Sequence, residues 1–119
     1  MSQATYTIVC KVNGETLQGT SVKVKFGGVR REDKTAAGVA GRDYVEIPEA
    51  SMVSVTILHT EETPPIDVIR TWKNVTLVLE CDNGKTYQCD GAKVANAFEL
   101  GDEGGGIALE FTGPPITEV

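Results

Sequence analysis

Apolar residues recur at alternate positions along this chain, the signature of strands with one face in a core and the other in solvent. Tyr6, Ile8, Cys10 and Val12 share a face in the first such stretch. The pair Asn13-Gly14 follows, a strong short hairpin signal because both turn positions accept a left-handed backbone. A two-residue loop there pairs Val12 with Glu15 and Cys10 with Leu17, which brings Leu17 onto the apolar face. Val22, Val24 and Phe26 alternate with Ser21, Lys23 and Lys25; Val53, Val55 and Ile57 with Ser54, Thr56 and Leu58; Ile107, Leu109 and Phe111 with Ala108, Glu110 and Thr112.

A second hairpin can be set in register from the sequence. Leu77, Leu79 and Cys81 alternate with Thr76, Val78 and Glu80, and Tyr87 and Cys89 alternate with Thr86, Gln88 and Asp90. A two-residue Asn-Gly loop would set Leu79 opposite Gln88 and mix the faces, which a half-buried strand resists. A three-residue loop, Asp82-Asn83-Gly84 with Gly84 left-handed in a bulge, repairs this. It pairs Leu77 with Cys89 and Leu79 with Tyr87 inside, and Thr76 with Asp90, Val78 with Gln88 and Glu80 with Thr86 outside. Cys81 and Cys89 then stand ~13 Å apart along the ladder, too far for a disulfide.

Between the third and fourth strands the period changes. Thr63 is the expected N-cap of a short helix over about residues 64–73, with Pro64 at the first helical position, where its missing N–H costs nothing. Ile66, Ile69 and Trp72, with Val68 beside them, make its apolar stripe, and Asn74 ends it. A weaker strand is expected over 94–100, then a turn over 101–106. Pro114-Pro115 stops the last strand and leaves a short tail at 114–119. The sum is a mainly β chain, a curved sandwich or barrel of about seven or eight strands with one short helix, in a single domain over 1–119. Residues 27–48 fit poorly, because structureless loops that long are uncommon in compact domains and are usually functional or disordered.

The net charge is −6, which argues against a protein that grips nucleic-acid phosphates. Nine basic and nine acidic side chains cancel over residues 1–79, so residues 80–119 carry the whole excess. No signal peptide or membrane-length apolar run is visible. Cys10, Cys81 and Cys89 fall on inward faces, where cysteine acts as a small hydrophobe. His59 is the one histidine, and no HExxH or CxxC accompanies it. Gly104-Gly105-Gly106 lacks the Lys-Ser/Thr of a phosphate loop, and Asp102 with Glu103 offers too few ligands for Ca²⁺. No catalytic residue, metal or cofactor is expected.

The order of strand end, proline-started helix with a single Trp, and hairpin in ILHTEETPPIDVIRTWKNVTLVLECDNGKTYQCDG, followed by GGGIALEFTGPP, resembles the tail tube proteins of Mu-like contractile-tailed bacteriophages. The resemblance covers residues 11–119. It implies a non-enzymatic virion subunit, made in the host bacterial cytoplasm. It further implies self-assembly into hexameric rings stacked as the inner tube of a contractile tail. The implied partners are the sheath protein, the baseplate and tail terminator proteins, and the tape-measure protein and DNA as passengers. It gives residues 27–48 a role: a long loop or hairpin touching the next ring, with Arg30, Arg31, Glu32, Asp33, Lys34, Arg42 and Asp43 as the polar contact. Glu80, Gln88, Asp90 and Glu110 are the residues expected to face an acidic channel. Two other readings stay open: the tube of a phage-derived bacteriocin or secretion needle, and a monomeric β-sandwich binding module.

Overall fold

The first hairpin forms where Asn13-Gly14 demands it. The computed structural model describes residues 4–17, 19–36, 39–101 and 106–119. Asn13 and Gly14 have φ of 49° and 86°, and join β1 (Ile8–Val12) to β2 (Glu15–Thr16). Val12 pairs with Glu15 as expected. The Leu17 N–H donates to the Cys10 carbonyl at 2.9 Å, and Leu17 is buried. After β3 (Gly19–Lys25) come β4 (Gly28–Ala36), β5 (Val39–Glu49) and β6 (Ser51–Leu58). The helix α1 (Ile66–Arg70) leads into β7 (Val75–Cys81), β8 (Thr86–Val94), β9 (Gly106–Gly113) and β10 (Thr117–Glu118).

All but β4 and β5 belong to one antiparallel sheet in the order β2-β1-β7-β8-β9-β6-β3, with β10 added beside β8. The sheet is not a closed barrel. It folds over at β8, whose first part pairs with β7 and whose Lys93 and Val94 pair with β9. Gly91, at φ 84°, sits at the bend, where the β7–β8 register shifts between Val75 and Thr76. A left-handed glycine in a bulge lets a strand turn from one layer into the next. Cys10, Val12, Leu77, Leu79 and Cys89 from one layer meet Val53, Val55, Ile57, Ile107, Leu109 and Phe111 from the other, all buried in one core. The expected β7–β8 register is found at every pair, and Gly84 is left-handed at φ 95°.

Several expectations are corrected. Tyr6, expected on the inward face of the first strand, precedes β1 and is 94% exposed, and Cys81, expected inside, is half-buried at the end of β7. The helix spans Ile66–Arg70, shorter than 64–73, and Pro65 stands at its N-cap in an extended conformation (φ −56°, ψ 144°). The cause is the second proline, which bars the residue before it from helical geometry, so Pro64 cannot be the first helical residue. Thr63 serves the preceding turn: its hydroxyl donates to the Leu58 carbonyl at 3.0 Å and accepts the Thr60 N–H at 2.8 Å. Only Ile69 of the helix is buried, while Ile66 and Val68 are exposed. Residues 95–99 form no strand. Instead the Asn96 amide bridges to β9, donating to the Ala108 carbonyl at 3.0 Å and accepting the Glu110 N–H at 2.9 Å. Phe26 lies one residue past β3 and is 47% exposed. The expected turn at 101–106 falls largely on 102–105, outside the described residues.

Trp72 is half-buried and stacks on Phe111, centroids 6.0 Å apart. Trp72→Ala should therefore cost about 2–3 kcal/mol in urea denaturation, less than the ~3–5 kcal/mol of a fully buried aromatic.

Candidate assembly surfaces

The strands β4 and β5 pair only with each other. They form an arm that carries the molecule to 63 Å along its longest axis, against 40 and 28 Å along the others. The radius of gyration is 17.6 Å, above the about 14 Å expected for a compact chain of this size. The register divides the arm's residues between two faces. Arg30, Glu32 and Lys34 share one with Ile47, Val45 and Asp43. Val29, Arg31 and Asp33 share the other with Pro48, Glu46 and Tyr44.

Charge runs in a strip along the first face. Arg30 Nε donates to Glu49 Oε1 at 2.6 Å, and the same guanidinium bonds Glu32. Lys34 Nζ lies 3.5 Å from the other Glu32 oxygen. Hydrogen bonding and attraction from Arg30, with a further hydrogen bond from Lys34, hold the Glu32 carboxyl below its ordinary range. On the second face Arg31 Nε stands 3.6 Å from Glu46. These pairs are open to water, so they fix orientation more than they stabilise.

Five of the polar residues expected here, Arg30, Arg31, Glu32, Asp33 and Lys34, lie together on β4, and Asp43 faces Lys34 on β5. Arg42 is also on β5, but its side chain lies outside the described residues. Sequence reasoning missed the apolar part. Val29 (46% exposed), Tyr44 (57%) and Val45 (40%) stand in solvent on both faces of a hairpin with no layer behind it. A lone two-stranded hairpin is marginal in water, and this one keeps three large apolar side chains exposed. The aromatic and β-branched content of Tyr44-Val45-Glu46-Ile47 is the signal available, since such residues favour strands.

The four residues expected to face a channel divide between layers. Glu80, Gln88 and Asp90 share the outward face of β7 and β8, where Lys11 Nζ meets Glu80 at 3.0 Å and Gln88 Nε2 donates to Asp90 at 2.9 Å. Glu110 is exposed on β9 opposite Ser54, on the outward side of the other layer. The open sheet edges are β3, which bears Lys23 and Lys25, and on the other side the two-residue β2 with the start of β1 that it leaves uncovered. Charged edge residues are a common guard against indiscriminate pairing.

Little else offers chemistry. Burial pushes the Cys10 thiol up to about 11, far from a reactive thiolate. Among the described residues all three cysteines are free, and no cluster of His, Cys, Asp and Glu could hold a metal ion. No helix among them is long and apolar enough to cross a membrane.

Comparison with curated proteins gives no match. Among solved structures, the cryo-electron microscopy structure of the anti-feeding prophage cap, a tube-terminating cap, is similar in fold. Its TM-score is 0.69 at 9% identity, with 98% of this chain and 89% of that chain covered. The family described as phage tail tube protein matches residues 1–118. An open antiparallel sandwich with an unpartnered arm is a fitting form for such a subunit, and this chain belongs to the phage tail tube protein family as a structural component of a phage tail.

Proposed function

We propose that this protein is the subunit of the inner tube of a contractile tail, assembling into hexameric rings that stack through the β4–β5 arm. The arm carries the reading: it projects from the sandwich, none of its described residues belongs to the core, and it holds Val29, Tyr44 and Val45 in water until a neighbouring copy covers them. Ring closure would pair the open edges at β1 and β3, which removes their hazard as templates for aggregation. The sheath encloses the tube, the baseplate and terminator proteins bound its ends, and the tape-measure protein and then DNA occupy its channel. The subunit is made in the host cytoplasm before assembly. Negative-stain electron microscopy of concentrated protein tests this directly. Tubes with a central hole are expected, and a 12.7 kDa monomer at every concentration by light scattering would overturn it.

The outward face of β7 and β8, with Glu80, Gln88 and Asp90, is the channel wall in this reading. On this face Lys11 balances Glu80, and Asp90 adds a negative charge that only the neutral Gln88 contacts; repeated around a ring, such a charge repels phosphates, so DNA slides without sticking. Changing Gln88→Lys and Asp90→Lys together, which leaves the Lys11–Glu80 pair in place, should give tubes that retain DNA at low salt where the parent tubes do not. Equal retention by both would move the channel to another face.

A second reading takes the structural neighbour as guide: a cap that ends a tube rather than a subunit that extends it. Single rings that bind tube ends and never elongate would favour it.

A further inference from the structure

The arm joins the sandwich through two stems, Phe26-Gly27 on one side and Ala50-Ser51 on the other. They approach so closely that a Cβ on Gly27 would fall 2.7 Å from the Ser51 nitrogen and 3.0 Å from the Glu49 carbonyl oxygen. Gly27 and Gly28 both have positive φ, 75° and 116°. Two such glycines in succession make a pivot, because neither residue limits rotation as a side chain would. Nothing in the arm's own pairing fixes its angle to the sandwich.

Both stems are nevertheless tied, and to the same piece of chain. Ser51, the one buried polar side chain among the described residues, places its Oγ 2.7 Å from the Pro114 carbonyl oxygen and 3.2 Å from that of Gly113. A hydroxyl has one hydrogen to give, and the shorter contact claims it for Pro114. Cys89 Sγ is 3.4 Å from the same Pro114 oxygen and 3.6 Å from Ser51 Oγ, which closes a small buried network. On the other stem the Phe26 carbonyl accepts the Ile116 N–H at 2.8 Å. The Phe26 ring also meets Tyr87 edge-on at 5.0 Å.

The segment that holds both stems is itself pinned to β8. Thr117 and Glu118 pair with Gln88 and Tyr87 as β10, and the Val119 N–H reaches the Thr86 carbonyl at 2.9 Å. Lys85 Nζ lies 3.2 Å from Glu118. At the other end, a Cβ on Gly113 would meet Ala92 and Cys89, each at 3.1 Å, so the chain there lies tight against the bend of β8.

We propose that residues 113–119 are a clamp that sets the angle of the arm, with Ser51 and Ile116 as its positioning residues. At one end Gly113 is held as the last residue of β9, opposite Ser51, at the other β10 docks on β8, and the segment between them holds both stems. The coupling runs both ways, since any two equilibria linked through one segment are reciprocal. Fixing the arm against a neighbouring copy strengthens the docking of the tail, and a partner that lifts the tail frees the arm.

The effect on tube growth rests on the arm being the ring-to-ring contact; the angle itself does not, and can be measured in the monomer. Spin labels on Tyr44→Cys and Lys93→Cys in a Cys81→Ser background report the distance between arm and sandwich, while the buried Cys10 and Cys89 stay unlabelled. The full chain carrying Ser51→Ala loses one tie. Ile116→Pro removes the N–H of the other, and Ile116→Val is the control that keeps it. The parent and the Ile116→Val protein should show one narrow distance distribution. Ser51→Ala and Ile116→Pro should each broaden it at least about twofold, as expected when a segment is released locally while the core stays closed. A chain ending at Pro115, which lacks the second tie and β10 together, carries the same test should Ile116→Pro fail to fold. Parent-like widths in Ser51→Ala and in either tail variant overturn the clamp, whatever the tubes do. Broadened widths with normal tube growth keep the clamp and remove the arm from the stacking contact.

Discussion

Replacing residues 29–48 with a short Gly/Ser linker is expected to leave a folded domain that forms no tubes. The cut falls where Gly28 pairs with Glu49, at the root of the arm. Every residue of the buried core lies outside it, and β4 and β5 lend no hydrogen bonds to the main sheet. Loop length changes closure entropy slowly, so the cost should stay within about 1 kcal/mol. Ser51, Phe26 and the segment that clamps them remain. What disappears is the only projecting surface in the described structure with apolar side chains on two faces, and with it the proposed contact between rings. Circular dichroism melting and electron microscopy of one sample decide the outcome. Normal tubes would remove the stacking role, and an unfolded product would show that the arm supports the sandwich in a way its pairing does not reveal.

The same contrast between core and arm explains what could be read from the sequence. Alternation of apolar residues reports burial of one face, so β6 and β9 are legible with their inward residues, while in β1 and β7 the pattern runs past the buried part, to Tyr6 at 94% exposure and to the half-buried Cys81. The register of the second hairpin was legible to the residue, because the turn and the two faces each constrained it and only one loop length satisfied all three. The residue pattern marks the arm only as an anomaly of length, and the choice between a long loop and a hairpin there comes from the resemblance alone. Residues 30–34, Arg-Arg-Glu-Asp-Lys, have no apolar alternation because neither face is buried in the single chain. A strand with both faces in solvent carries no such pattern, so its pairing with β5 leaves no mark in these residues.

Other misses came from competition the pattern does not encode. Pro65 overrode a good N-cap at Thr63 through the geometry it imposes on Pro64. Asn96 used its side-chain amide in place of a backbone ladder, so a stretch with weak strand character became a bridge. The acidic third of the chain suggested one face, but β8 bends at Gly91, and Glu110 lies beyond that bend on the other layer. Charge counted along the sequence says nothing about such a bend, although the lone glycine in a strand pattern was its mark.

Phe111→Ala should be the most damaging single truncation in the sandwich. Phe111 is fully buried and is the largest of the buried side chains. It lies in β9 opposite Val53 on one side and Val94 on the other, and it carries the stacked ring of Trp72. Its position therefore joins the two neighbours of β9 to the segment that follows the helix. Removal leaves a cavity that strands held by ladders on both edges cannot readily close, and the expected loss is about 3–5 kcal/mol. Against a total stability of about 5–15 kcal/mol for a domain, that approaches unfolding. The measurement belongs on the dilute monomer, since assembly would add stability by mass action and mask the loss. Urea denaturation followed by Trp72 fluorescence reads the packing of that cluster, and far-ultraviolet circular dichroism reads the sheet. Coincident transitions at much lower urea are expected. A loss under about 1 kcal/mol would mean that the two layers relax into the space, and that the sandwich is held by its ladders more than by its core.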